Sequence, residues 1–344
     1  MKRKKCLAVF IALALCAVPL MAGGSSESSG GEAGNSGQQI DLRCASGSIG
    51  GSFYIMAAAI ASVVNKNVPG VNISAQTTSG SNESYIGVVN KDFELCVTNN
   101  DFPYIGAHGG DPQRPTYVNG PNVRTWLVVE PSPHILIARA DTKKVTTYRD
   151  ILKPGVKIGL PVKGSTGYNL LVQTVDVMGG DFNKIDQYNA GHEQTASALK
   201  DGNVDVAFTM VGFLSAPNTA YQEFATATDI AMFDVPEDVR TGLSQRMPYW
   251  GKVTLQPDWL PGLKKQYQTV GIYSSFLLDE SVPEEVVYQM TKSLFEHLDD
   301  LKSIAFTSFR NLGPNTAAVE APCPIHPGAL RYYKEKGFKI DVRP

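Results

Sequence analysis

A β-α-β-α-β order that occurs twice constrains the fold of this chain more than any other feature. The first copy opens with Leu42-Arg43-Cys44-Ala45, read as a short strand, and runs into a loop holding Ser48, Gly50, Gly51 and Ser52. The spacing of Ile55, Ala58, Ala59 and Val63 predicts a helix from Phe53 to Asn65, which Pro69-Gly70 ends. Val71 to Ala75 alternates as a strand should, and the loop Thr77 to Asn82, with Ser79, Gly80 and Ser81, leads to a helix through Val88-Val89. A third strand, Phe93 to Thr98, ends in Asn99-Asn100-Asp101. From Val156 the order returns. Val156 to Leu160 is a strand, Lys163-Gly164-Ser165-Thr166-Gly167 a loop opening a helix, and Ile185 to Tyr188 a strand leading into Asn189 to Glu193. Thr195 to Lys200 is helical and Val204 to Thr209 a strand. VVNKDFELCVTNN in the first copy matches ALKDGNVDVAFTM in the second: a helix end, a polar turn with an acid, and a strand finishing in amides or, at Thr209, a hydroxyl. Such an order implies parallel sheets with right-handed crossovers.

Two α/β units of this kind face each other in bilobed binding proteins. The long apolar stretches Trp126 to Ala138 and Thr269 to Leu278 are the expected crossing strands, a hinge that bends. Lobe 1 is then 40–137 plus 268–344, and lobe 2 is 138–267. Helices at about Pro283 to Leu301 and Gly328 to Lys336 would pack on lobe 1 or across the hinge.

The start of the chain stands apart from this core. Lys2, Arg3, Lys4 and Lys5 precede an uncharged apolar run from Leu7 to Met21, too short to span a bilayer, which needs about 20 residues. Residues 1–22 read as a secretory signal cleaved after Ala22, with lipidation at Cys16 as the alternative. Residues 23–39, GGSSESSGGEAGNSGQQ, read as a flexible tether. A formal net charge of −2 with no long basic run argues against a nucleic-acid partner. Of five cysteines, Cys6 and Cys16 fall in the leader, leaving Cys44, Cys96 and Cys323. Cys44 and Cys96 lie in strands and are read as buried thiols, a bridge between them being the alternative.

Familiar chemistries fit the loops poorly. From Gly47, the three glycine positions of a dinucleotide fingerprint hold Gly47, Ile49 and Ser52, and no acid follows at the ribose position. There is no G-x-S-x-G elbow, no H-E-x-x-H and no paired cysteine motif, and the five histidines are scattered. No cofactor is expected. Loops at Gly50-Gly51-Ser52, Ser79-Gly80-Ser81 and Ser165-Thr166-Gly167 instead share one property: each stands before a helix. A helix start leaves N–H groups unpaired and carries about half a positive charge, so it attracts a carboxylate or phosphate. Helix capping alone also explains Ser and Thr there; the three loops together, at the ends of parallel strands, point to a site. Phe53-Tyr54 and Tyr168 would pack on a ligand's carbon chain or seal the helices, and Asp101 is the candidate partner for a ligand ammonium, or a cap; Asn100, His134 and Thr209 are the further candidate ligand-binding residues.

Taken in order, several of these stretches resemble the TAXI family of extracytoplasmic solute receptors, the binding proteins of TRAP-type transporters. They are Gly50-Gly51-Ser52-Phe53-Tyr54, Val68-Pro69-Gly70-Val71, Asn100-Asp101, His134, Ala198-Leu199-Lys200-Asp201-Gly202 and Tyr288 to Phe295. Ile325-His326-Pro327-Gly328-Ala329 follows, running into Arg331 to Glu335. The resemblance runs from about residue 40 to 338 and implies an α/β, bilobed type II periplasmic-binding-protein fold, two lobes joined by two crossing strands. It further implies a small carboxylate ligand such as glutamate, glutamine or a related amino acid, delivered by lobe closure to TRAP-type permease subunits in the membrane. Departures exist: Ser48-Ile49 stands where a Gly-Thr-type pair is more usual, so Ile49 would alter ligand shape. The other large family of TRAP receptors holds its carboxylate with an arginine, and no Arg stands in these loops. A periplasmic, non-enzymatic monomer is therefore expected. An exported hydrolase or transferase on the same scaffold, or a sensor for a membrane kinase, are the rival readings.

Overall fold

The computed structural model describes residues 39–343 except 48, 50, 112–116, 164 and 216. The leader at 1–22 with Cys16, and the tether up to 38, lie outside the described residues, as do Ser48 and Gly50. The first copy folds as β1 (Ile40–Ala45), α1 (Ser52–Asn67), β2 (Val71–Gln76), α2 (Ser81–Val89) and β3 (Leu95–Asn99). A short helix α3 (Asp101–Ala107) follows at once, and β4 (Val123–Arg139) crosses to the second copy. There β5 (Lys157–Leu160), α4 (Thr166–Val177), β6 (Asp186–Asn189), α5 (His192–Lys200) and β7 (Val206–Met210) repeat the order. Next come α6 (Thr219–Ala227), β8 (Ile230–Met232), α7 (Glu237–Arg246) and β9 (Trp250–Leu255), none of which the sequence announced. β10 (Tyr267–Asp279) crosses back, followed by α8 (Glu284–Glu296), α9 (Leu298–Ile304), α10 (Phe306–Phe309), β11 (Ala318–Ala321), α11 (Pro327–Glu335) and β12 (Ile340–Val342).

Ten strands form one sheet in the order β2-β1-β3-β10-β4-β7-β5-β6, with β8 beside β4 and β9 beside β10. β1 pairs in parallel with β2 and β3, as β5 does with β6 and β7. Counted outward from its crossing strand, each half thus has the same order: third strand, first, second. β10 meets β3 antiparallel, and β4 meets β7 antiparallel. Two α/β lobes on two crossing strands make this the bilobed type II periplasmic-binding-protein fold.

Where β4 and β10 pass between lobes, the ladder is irregular. The register slips between Ile272 and Ser274, opposite the Pro131-Ser132-Pro133 stretch of β4. Proline has no N–H to give a ladder, and a bulge adds twist, so the strands bend at this point. Buried side chains fill both faces of each half. Leu42, Ile60, Val97 and Phe276 belong to one cluster, while Leu136, Ile158, Leu171 and Phe208 belong to another.

The strand register also settles the cysteines. Cys44 pairs with Leu95 and Ala45 with Cys96, so Cys44 and Cys96 point to opposite faces of the sheet. They fall accordingly in different clusters. Cys44, Cys96 and Cys323 are all free and buried, and burial pushes the Cys44 thiol up to about 12.

The C-terminal helices pack on the first lobe. Val287, Met290, Tyr332 and Tyr333 share a cluster with Met56 and Ile60 of α1. Two buried hydrogen bonds, each worth about 1 kcal/mol net, tie them to β4. Trp126 Nε1 donates to Thr291 Oγ1 at 2.9 Å, and Tyr333 Oη donates to the Trp126 carbonyl at 2.7 Å. The single helix expected over Pro283 to Leu301 is broken at His297 (φ −118°, ψ 35°), whose ring Nδ1 donates to the Ser293 carbonyl at 3.0 Å. At the start of α11, Pro327 occupies the first turn and His326 caps it, its Nδ1 accepting from Gly328 N at 3.3 Å. A Cβ on Gly328 would stand 2.1 Å from the Glu284 carbonyl oxygen of α8, whereas one on Gly313 would meet nothing within 4 Å. Gly328→Ala is therefore expected to cost about 1–3 kcal/mol by overpacking and to lower the melting temperature, with Gly313→Ala as the neutral control. Equal melting temperatures for the two variants would contradict the close packing of α8 and α11.

Candidate functional site

A cleft of about 690 Å³ lies between the lobes, walled by the loops that follow the parallel strands. On the first lobe, the loops after β1 and β2 are stapled to each other. Gly47 N donates to Thr78 Oγ1 at 2.9 Å, and Thr78 N donates to the Gly47 carbonyl at 3.0 Å. These loops feed α1 and α2, whose N-caps are Gly51 and Gly80, neither with a side chain to bond the first-turn N–H groups. Gly80 sits at φ +137°, a conformation that disfavours any side chain. Both helix starts consequently offer backbone donors to the cleft. An exposed acid works against this at one of them: Glu83 Oε2 accepts from Ser79 N at 2.7 Å.

Across the cleft, α4 begins at Thr166 behind the N-cap Ser165, whose hydroxyl accepts from Tyr168 N at 3.3 Å. Helix α6 is capped by Asn218, whose side-chain oxygen accepts from Ala220 N at 2.9 Å. The first residue of α5, His192, also reaches the cleft, with Nδ1 3.4 Å from Thr209 Oγ1. Burial lowers the His192 pKa, favouring the neutral ring. Five helix starts thus meet at one cleft, each carrying about half a positive charge. Among the described lining residues there is no Asp, Glu, Lys or Arg. Carbon is supplied by Phe53, Ile55, Pro161, Met210 and Phe213, and Ile55 is 44 % exposed. Ile49 (75 % exposed) stands in the loop before α1. The arrangement can seat an anion by backbone N–H and hydroxyl groups beside an apolar wall.

Of the residues singled out from sequence, Gly51, Ser52, Phe53, Ser79, Gly80, Ser81, Ser165, Thr166 and Gly167 line the cleft. Ser48 and Gly50 lie outside the described residues. Tyr54, Asn100, Asp101, His134 and Thr209 are not in its wall. Asn100 is buried, its Oδ1 accepting from Ser275 Oγ at 2.7 Å and its Nδ2 donating to the Glu320 carbonyl at 3.0 Å. Asp101, 1 % exposed, sits behind Thr166, with Oδ2 accepting from Tyr117 Oη and Thr166 Oγ1. Burial pushes its pKa up to about 6 in spite of those bonds. Thr209 backs His192. Lining residues that the sequence did not announce are Ser132 and Ser274 of the crossing strands, His192, and Asn218, Thr219 and Gln222 at α6. The Asn218-Thr219 pair before a helical stretch is a legible cap signal for the last group.

His134 lies on the crossing strand β4, and its ring is fixed against the second lobe. Its Nδ1–H donates to the Thr209 carbonyl at 3.0 Å, which leaves Nε2 to accept from Tyr148 Oη at 3.0 Å. Burial pushes its pKa from 6.5 down to about 3. Between those values the unfolded chain holds a proton that the folded chain does not, so stability falls as pH drops from 6.5 toward 3. The urea midpoint is expected to fall between neutral pH and about pH 4.5, with a smaller fall in His134→Gln. Falls of equal size would show that His134 does not carry this dependence.

Residues 44–337 match the NMT1-like family model, and the chain belongs to that family. Among solved structures it is similar to the periplasmic aliphatic sulphonate binding protein SsuA from Escherichia coli, at 13 % identity, covering 89 % of this chain and 84 % of that one, with a TM-score of 0.47. A TctC solute binding protein from Polaromonas matches at 12 % identity over 83 % of this chain and 91 % of its own, with a TM-score of 0.49. The periplasmic binding protein BugD matches at 12 % identity over 86 % and 93 %, also with a TM-score of 0.49.

Proposed function

We propose that this member of the NMT1-like family is an extracytoplasmic solute-binding protein that captures a small carboxylate between its lobes and hands it to a membrane permease. The observation that carries this reading is the interlobe cleft itself, where the uncapped starts of α1 and α2 face those of α4, α5 and α6 with no ionised side chain in the described wall. An organic anion suits such a wall, because oriented N–H groups can replace its hydration shell. The lobes correspond to 40–137 plus 268–344 and to 138–267, and closure around the solute is the signal to the permease. A periplasmic monomer of the TAXI kind, working with TRAP-type permease subunits, is the specific form of the proposal. Glutamate, glutamine and related amino acids are its first candidate ligands. An ammonium group would have only polar neutral neighbours in the described wall, since Asp101 lies behind Thr166, so simple carboxylates belong beside the amino acids in any panel.

The rival reading, an exported enzyme, draws less support. His134 is buried between Thr209 and Tyr148 and does not reach the cleft, so it is not placed to act on a solute held there.

Titration calorimetry against amino acids and mono- and dicarboxylates tests the proposal. A carboxylate is expected to bind the wild-type protein, and Ser52→Glu is expected to weaken that binding at least roughly tenfold by placing a like charge at the start of α1. An acid in the first turn favours the helix, so the melting temperature should hold. Absence of binding and of thermal shift across the panel would refute the carboxylate reading, as would unchanged binding in Ser52→Glu.

A further inference from the structure

Along the cleft wall and behind it, hydrogen-bonded polar side chains pass from one lobe to the other without a break. On the crossing strand β10, Ser274 Oγ donates to Asn99 Oδ1 at 3.0 Å, and Asn99 Nδ2 donates to Thr166 Oγ1 at 3.2 Å. Thr166 Oγ1 donates in turn to Asp101 Oδ2 at 3.1 Å. The same carboxylate oxygen accepts from Tyr117 Oη at 3.0 Å, and Tyr117 Oη accepts from Asn169 Nδ2 at 3.2 Å. Asn99, Asp101 and Tyr117 belong to the first lobe; Thr166 and Asn169 belong to the start of α4 in the second. Each of these α4 residues is thereby joined to the opposite lobe's acid, Thr166 directly and Asn169 through the phenol.

The setting makes these bonds matter. Asp101 and Tyr117 are 1 % and 2 % exposed, so water does not compete for them. Among the described residues Asp101 Oδ1 has no hydrogen-bond partner, so Oδ2 takes both side-chain hydrogen bonds of this buried carboxyl group. Helix α3, which Asp101 begins, packs on both lobes: Phe102 joins a first-lobe cluster, while Tyr104 and Ile105 lie against a second-lobe one. The Tyr104 ring centroid is 5.5 Å from that of Tyr249. Ser274, Asn99 and Thr166 also line the cleft, so the polar run and the solute would share a wall.

We propose that Asp101, Tyr117, Thr166 and Asn169 form an interlobe latch, in which Asp101 is a positioning residue that fixes Thr166 and Asn99 in the cleft wall. The inference rests on the reading of the cleft as a solute site, and it assigns Asp101 a role in closure instead of direct contact with a ligand ammonium. Parting the lobes would strip Asp101 of the Thr166 hydroxyl and Tyr117 of the Asn169 amide. A hydrogen bond to a charged group is worth enough to change the ratio of closed to open protein roughly tenfold.

Interlobe distance in the ligand-free protein tests the latch independently of any solute. Spin labels on Lys66→Cys in α1 and Lys184→Cys in the second lobe are suitable, because these side chains are 73 % and 83 % exposed while Cys44, Cys96 and Cys323, the thiols among the described residues, are buried. Double electron–electron resonance is expected to show Thr166→Val shifted toward longer distances and Thr166→Ser, which keeps the hydroxyl, superimposed on wild type. Asp101→Asn should shift in the same direction as Thr166→Val. If Asp101→Asn fails to fold, the Val and Ser variants at Thr166 decide alone. Identical distributions for wild type and Thr166→Val overturn the latch. A wild-type protein that binds no carboxylate would instead defeat the functional reading, leaving these ligand-free distances to judge the latch.

Discussion

Antiparallel pairing of β4 with β10 is the constraint on which the rest of the structure depends. Those two strands carry the sheet from one lobe to the other, and they fix where the parallel strands of each lobe end. β3 ends at Asn99, which pairs with Ser274, and β7 ends at Met210, which pairs with His134. Gly271 pairs with Pro133 and Ser274 with Val129 in the same short stretch. The carboxyl ends of β3 and β7 therefore arrive at the hinge from opposite sides. Because α/β units place their ligand loops at those ends, the cleft has no other place to form.

That geometry supplies positive potential with no cationic side chain among the described lining residues. Capping differs around the cleft: Gly51 and Gly80 leave the starts of α1 and α2 open, whereas Ser165 and Asn218 close part of the starts of α4 and α6. Behind Gly191 the start of α5 is open as well, so open donors face the cleft from both lobes, while the hydroxyl and amide caps lie on the second. Donors on both lobes suit an anion enclosed between them. Neutral donors also avoid the desolvation cost of burying an ion pair between moving lobes.

Much of this was legible from residue order, for identifiable reasons. Alternation in Val71 to Ala75 and the apolar run of WLVVEPSPHILIA mark strands because burial on one or both faces leaves a period in the sequence. The loops before α1, α2 and α4 stand out because glycine and hydroxyl residues cluster there. Less legible was whatever depends on which way a side chain turns. Asn99 and Asp101 are two residues apart, yet the strand ends between them and the first turn of α3 carries Asp101 behind Thr166. His134 and Thr209 looked like site residues, but the sheet directs His134 into the second-lobe core, where Tyr148 and Phe208 enclose it. Ser132 and Ser274 were hidden inside apolar runs. Helix α7 shows little apolar periodicity, and its sequence EDVRTGLSQR buries only Val239 and Leu243. The face assignment of Cys44 and Cys96 likewise needed the β1–β3 register, which no spacing in one sequence gives.

A structure of the protein with the solute it carries after purification from its host tests the central claim most directly. The account predicts electron density for a small organic anion between the lobes, with its charged group on the N–H groups of Gly51, Ser52 or Ser81 and its carbon body toward Phe53, Ile55 or Met210. A ligand bound elsewhere, or one seated in the cleft with a cationic group at those helix starts, would contradict it.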